Sequence, residues 1–192
     1  MKKRRKKKSP KAGLFVLFVL AGIAVAAVFL FRQELMDRLK PEKRSIPTEK
    51  RGLLLYFSDP ESEYLIGEKR EILKKGGVSE EAQEMIRELI RGPKGRLIPT
   101  IPPRTRLLSF QLDEKGVAKV NFNQALSRDH PGGSSAEMMT IYSIVNSLTL
   151  NFPQIKRVQI LIEGKARKTI AGHLSLEKPI SPNSDIVKKG KV

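Results

Sequence analysis

The residues best placed for chemistry are Gly132, Gly133, Ser134 and Ser135, a run of small residues immediately ahead of a helical pattern. Free backbone N–H groups at a helix start attract anions, and glycines let a ligand approach the main chain closely. On that reading the four residues form a ligand or interaction loop for an anion or a glycan. They also have a purely structural reading. Ser134-Ser135-Ala136-Glu137 fits the S-x-x-E capping box, in which the serine and glutamate side chains satisfy the helix-start donors themselves.

Other chemistry finds little support. The chain holds two histidines, His130 and His173, and no cysteine. Neither histidine has the His-x-x-x-His or glutamate-flanked spacing of a metal site. There is no G-x-S-x-G elbow and no G-x-x-x-x-G-K-[ST] phosphate loop. The expected catalytic, cofactor and metal residues are therefore none, and the chain reads as a protein that is not an enzyme. Without cysteine, disulfides and a lipid-modified anchor are excluded as well.

Positioning such a loop requires folded elements on both sides. Ser79 to Arg91 predicts an amphipathic helix, with Ser79 as its cap and Ala82, Met85, Ile86, Leu89 and Ile90 on the buried face. Ser134 to Asn151 predicts a second, with Met138, Ile141, Tyr142, Val145, Leu148 and Thr149 inward. Leu53 to Phe57 reads as a buried strand and Tyr64 to Leu73 as one or two short edge strands. Arg106 to Leu112 and Val117 to Asn123 read as a hairpin. Leu108, Phe110 and Leu112 share one face of it, and Ala118, Val120 and Phe122 another. Val158, Ile160 and Ile162 alternate in a further strand, and Ala166 to Ile170 returns as a short one. The expected fold is α/β (α+β): a two-layer sandwich in β(β)αββαβ order, with two amphipathic helices on one face of a small sheet.

The formal charge of +17 is concentrated at one end. Lys2, Lys3, Arg4, Arg5, Lys6, Lys7, Lys8 and Lys11 precede an uncharged run from Ala12 to Phe31. Twenty helical residues at ~1.5 Å each reach ~30 Å, the thickness of bilayer hydrocarbon. The expectation is one transmembrane helix over 12–31 ahead of the domain, with residues 1–11 a basic cytoplasmic tail under the positive-inside rule. A cleaved signal peptide, with Ala24-Val25-Ala26 as its small-x-small site, is the alternative. The basic tail lacks interleaved aromatics, so it is read as setting topology rather than as binding nucleic acid. Residues 32–52 read as a juxtamembrane segment and linker, 53–175 as the domain and 176–192 as a flexible tail.

Several of these stretches together resemble the GerMN domain. Gly92-Pro93, Leu97, Ile101-Pro102-Pro103 and Leu107-Leu108-Ser109 are similar to it, as are Gly116 to Phe122 and Gly132-Gly133-Ser134 with Glu137. The longest similarity runs from Ile141 to Lys165, followed by Ala171-Gly172-His173. The resemblance implies an extracytoplasmic α/β module of the kind named from sporulation and spore germination proteins. Such modules resemble ring-building motifs of secretion assemblies and in some envelope proteins accompany cell-wall amidases. No catalytic set comes with the family. This chain departs from the germination protein in having one such domain rather than two, and an expected helical rather than lipid anchor.

The resulting expectation is a non-catalytic interaction or scaffold module of the cell envelope. It would be single-pass in the inner membrane, with its N-terminus cytoplasmic and its domain outside. Its expected partners are the membrane, through the N-terminal helix, and an envelope protein or a second copy of itself. A ligand-binding accessory to peptidoglycan or its processing enzymes is the alternative. No cofactor and no nucleic acid are expected.

Overall fold

The computed structural model describes residues 20, 22–23, 25–33 and 49–188. The chain separates into two compact units, Met1–Ile46 and Pro47–Val192. The expected basic tail 1–11, positions 12–19, 21 and 24 of the expected membrane span, and the linker from 34 to 48 lie outside the described residues.

The expected transmembrane helix over 12–31 is corrected. Among the described residues no helix is long and apolar enough to cross a membrane.

The second unit carries the expected element order. β1 (Lys50–Ser58) and β2 (Leu65–Leu73) form an antiparallel hairpin, with Leu55 opposite Glu68. α1 (Val78–Arg91) comes next. β3 (Leu107–Leu112) and β4 (Val117–Phe122) pair antiparallel. After a four-residue helix, α2 (Ala125–Arg128), comes α3 (Ser134–Asn151). β5 (Arg157–Ile162) then lies parallel to β4, and the sheet order is β3-β4-β5. The single small sheet expected from the pattern is corrected to two, one of two strands and one of three. Both helices touch both sheets rather than lining one face.

The reason lies in α3. Met139, Ile141, Ile144, Val145 and Leu148 are buried, but so are Thr140, Ser143, Asn146 and Ser147. A helix buried nearly all round packs on more than one side. Its polar positions bond to main chain. Tyr56 N–H donates to Ser147 Oγ at 3.0 Å. Leu54 N–H donates to Asn151 Oδ1 at 2.9 Å, and Asn151 Nδ2 returns a bond to Leu54 O at 2.6 Å. Four helical residues rise about 6 Å and two strand residues about 6.6 Å. The spacing of Ser147 and Asn151 therefore matches Tyr56 and Leu54, and the helix satisfies the outer edge of β1 as a strand would.

α1 begins at Gly77 with no side-chain cap, so Ser79 does not serve as one. Glu81 turns inward and accepts from Arg51 Nη1 at 2.7 Å. Ala82, Met85, Ile86 and Leu89 are buried as expected, with Ile90 half-buried. In the hairpin, Gly116 (φ +77) needs both its left-handed backbone and its missing side chain, since a Cβ would sit 2.8 Å from Gln154 O. Ala118, Val120 and Phe122 are fully buried, and Val158, Ile160 and Ile162 are their buried register partners on the neighbouring strand. Leu108 is a correction: a bulge between Leu107 and Ser109 shifts the register and turns Leu108 to solvent.

Two more expectations change. Residues 166–170 form no strand, with only an isolated bridge between Ile162 and Lys165 before them. The tail expected to be flexible from 176 is bound to the domain as far as Lys188. Leu176 is buried, Ile180 and Val158 exchange backbone bonds, Leu65 N–H donates to Ile186 O, and Asn146 bonds Asn183 in both directions.

Candidate functional site: the loop ahead of α3

The loop from Asp129 to Gly133 connects α2 to α3, and its backbone explains its composition. Gly132 and Gly133 both have φ +85, a region that a side chain disfavours, and open space surrounds both. His130 fixes the entry. Gly132 N–H donates to His130 Nδ1 at 3.0 Å, so that nitrogen is an acceptor, and His130 Nε2–H faces Thr140 Oγ1 at 3.1 Å. Thr140 Oγ1 in turn donates to Thr100 O at 2.5 Å. Ser135 Oγ donates to Ser62 O at 2.9 Å and ties the β1–β2 turn to the start of α3.

The expected capping box does not form. The N-cap position is Gly133, and no side chain bonds the helix-start amides. Glu137 is instead fully buried and points toward the 170–173 segment. Its Oε1 accepts Ile170 N–H at 3.0 Å and Ala171 N–H at 2.9 Å. Its Oε2 accepts His173 N–H at 2.7 Å and faces His173 Nδ1 at 3.1 Å. The serine–glutamate spacing thus signalled the helix start correctly but not the glutamate's partner, which lies 33 residues or more away in sequence. Since Ser134 caps nothing, Ser134→Ala is expected to change stability by less than about 0.5 kcal/mol, read from a urea midpoint. A loss near 1 kcal/mol would restore the cap.

These groups set the acid response. Burial pushes the Glu137 carboxyl up, but the N–H groups of Ala171, His173 and Ile170 and the His173 ring outweigh it and hold the carboxyl below its ordinary 4.5. His130 is held below 6.5, mainly by burial. For both groups the folded-state pKa lies below the unfolded value. Their stabilisation is present above the unfolded pKa and is lost as pH falls through the folded one. Denaturant midpoints from about pH 8 to about pH 3 are expected to fall first below the ordinary histidine range and again below the glutamate range. A flat profile, or one rising toward acid, would contradict the assignment.

Two cavities flank the loop. One of about 360 Å³ lies between the proline segment 98–103, Ser62, Asp129 and Pro131, with Met139 and Thr140 from α3. The other, about 280 Å³, is lined by Ser134, Ser135, Met138, His173 and Leu174. A third hollow of about 630 Å³ runs along the hairpin by Leu54, Arg70 and Asn151, away from this loop. Of the expected site residues, Ser134 and Ser135 share the smaller cavity with His173, whereas Gly132 and Gly133 line none of the three. Among the described residues no three metal-ligating side chains converge.

Sequence reasoning missed the charged groups that hold the molecule together. Arg70 is buried and donates to Glu68, Glu88 and Gly92 O, lying 6.0 Å from the Phe57 ring. Nothing in its strand context separates it from a solvent-facing charge. Asn151 was equally hidden, because its bonds to Leu54 depend on which side of α3 meets the edge of β1.

Residues 54–168 match the family described as Germane: Sporulation and spore germination. Three solved structures share the fold. A candidate lipoprotein of Clostridium perfringens is 25% identical, with a TM-score of 0.52 over 74% of this chain and 94% of that one. The tandem GerMN domains of the Bacillus subtilis sporulation protein GerM are 21% identical, with a TM-score of 0.56 over 78% of this chain and 51% of theirs. The first of those domains alone gives 19% identity and a TM-score of 0.50 over 74% of this chain and 98% of its own. No curated protein matches.

Proposed function

This chain belongs to the Germane (sporulation and spore germination) family, and from that premise we propose that it is a non-catalytic interaction module of the cell envelope. The observation that carries this reading is how the site spends its polar groups. Glu137, Ser135 and Thr140 each bond main chain from a different segment, and so bind loops 59–62, 98–103 and 170–173 around the start of α3. That arrangement builds a rigid, shaped surface rather than a reactive group. The similarity to a Clostridium perfringens candidate lipoprotein, nearly all of which is covered, supports an extracytoplasmic domain held near a membrane. The partner is an envelope protein or a second copy of this chain.

Protease treatment of host spheroplasts, intact and permeabilised, tests the location. The domain is expected to be cleaved in intact spheroplasts, and protection until permeabilisation would overturn it. In-cell crosslinking with mass spectrometry tests the partner. Recovery of an envelope protein or a homodimer is expected, and recovery of cytoplasmic proteins alone would contradict the reading.

A second reading, an accessory that binds peptidoglycan, has one observation in its favour: Ser134, Ser135 and His173 line an accessible hollow beside two unobstructed glycines. Sedimentation with purified sacculi separates the two. Ser134→Tyr would fill the hollow with little effect on folding, and a loss of sedimentation on that change would favour the accessory reading.

A further inference from the structure

The two outer edges of the β1–β2 hairpin differ. That of β1 is filled: Leu54 and Tyr56 bond α3, and Ser58 O accepts Ile98 N–H at 2.9 Å. On β2 only Leu65 is filled. Its N–H donates to Ile186 O at 2.7 Å and its O accepts Lys188 N–H at 2.9 Å, so the tail pairs there in parallel. Those bonds show that the Leu65 main chain points away from β1. Orientation alternates along an antiparallel pair, so the main chains of Gly67, Lys69, Glu71 and Leu73 point outward too. Among the described residues none of these four has a partner for its N–H or C=O. β2 holds no proline and pairs with β1 over all 9 of its residues without a bulge. Its edge is therefore regular and open from Gly67 to Leu73.

An exposed lysine on an edge strand is commonly a device against association, and Lys69 alone would be one. Glu71 changes the outcome. It lies two residues on, so it shares the solvent face with Lys69, and both are exposed. The open span has Arg70 at its centre. Laid antiparallel on itself, it sets Gly67 opposite Leu73, Lys69 opposite Glu71 and Glu71 opposite Lys69. The next register in one direction sets Lys69 opposite Lys69, and in the other Glu71 opposite Glu71. Like charges directly opposite are unfavourable. The extent of the free edge and its charges thus select the same register independently. Arg70 does not oppose it, because its buried guanidinium is already paired with Glu68 and Glu88.

We infer that β2 is the docking edge for a second copy of this chain. Two β2 strands pair antiparallel about a two-fold axis at Arg70, and the two hairpins become one continuous sheet. Main-chain bonds supply the attraction, and the reciprocal Lys69–Glu71 pairs fix the register. A two-fold contact of this kind closes on itself, so the product is a dimer rather than a filament. The inference deepens the interaction-module reading by choosing between its two partners, and rests on that reading for the domain's having a protein partner.

The test is sedimentation equilibrium of the full chain, in a non-ionic detergent that covers the apolar run 12–31. Dimerisation with a Kd at or below about 100 μM is expected. Lys69→Glu and Glu71→Lys are each expected to weaken it at least about tenfold, at unchanged melting temperature, because each sets like charges opposite twice. An equimolar mixture of the two variants is expected to form a heterodimer at least about tenfold tighter than either variant alone, since every pair is then again opposite in charge. In the wild type, the Lys69 and Glu71 amides should gain protection from hydrogen exchange as concentration rises, a readout that needs no variant. A monomer at about 100 μM, a dimer indifferent to either reversal, a mixture that does not recover, or unchanged protection would each overturn the inference. A monomer that crosslinks to an envelope protein in cells would overturn it and leave the interaction-module reading standing. A dimer from a protein found inside the cell would do the reverse.

Discussion

Val145→Asp is expected to leave no cooperative unfolding transition. Val145 lies in the middle of α3 and is fully buried among the core residues that join both sheets to α1. An isolated carboxylate there has no cation within the surrounding apolar cluster. Burying it costs several kcal/mol, or else forces it to stay protonated, which still leaves an unpaired polar group. A domain of this size has about 5–15 kcal/mol in total to lose. Loss of near-ultraviolet circular dichroism together with binding of a hydrophobic dye at 25 °C is the measurement. Val145→Ala is the control: it removes methyl groups without adding charge, is expected to cost about 1–2 kcal/mol, and should still melt cooperatively. A cooperative melt of Val145→Asp within a few degrees of wild type would mean that α3 does not sit in the core as described.

Glu137→Ala is expected to cost about 3–5 kcal/mol, because the substitution removes the shared acceptor of three backbone N–H groups and leaves them facing a vacated, buried space. Glu137→Gln keeps one oxygen and should lose less. Hydrogen exchange distinguishes this from a general weakening. In Glu137→Ala the amides of Ile170, Ala171 and His173 should lose protection well beyond the rest of the domain. A loss under about 1 kcal/mol, the size of an exposed cap, would show that Glu137 serves only the helix start. Together with the acid profile, this variant also asks whether the 170–173 segment is held by charge. Below the glutamate range the wild-type protein should come to resemble Glu137→Gln.

Glu137 also shows where sequence reading stops. Its position three residues after Ser134 carried a true local signal, and the helix does begin there. The local motif lost because a carboxylate buried at a helix start can accept several N–H groups from elsewhere, and those bonds are worth more than one reciprocal cap. The same competition explains Ser79, where Gly77 starts the helix and Glu81 turns inward to Arg51. Leu108 fell off its expected face for a different reason. Strict alternation assumes an unbroken strand, and a single bulge between Leu107 and Ser109 is enough to move Leu108 to the other face.

The order of residues is enough to establish the family resemblance, the succession of elements and most of the core. These rest on short-range periodicity: Met85, Ile86 and Leu89 at helical spacing, Ala118, Val120 and Phe122 at strand spacing, and Gly116 in its turn are all legible within a few residues. The rest arises only in three dimensions. Periodicity says which face is buried but not against what, so one sheet became two, and the polar residues Ser143, Asn146, Ser147 and Asn151 proved to be inward contacts rather than solvent-facing ones. The meeting of Arg104 with Asp129, and of residues 170–173 with Glu137, joins segments 25 or more residues apart. No local pattern encodes such pairings. A side chain's hydrogen-bond partner is set by which backbone donors the folded chain leaves unsatisfied nearby, and that becomes defined only once the elements have packed.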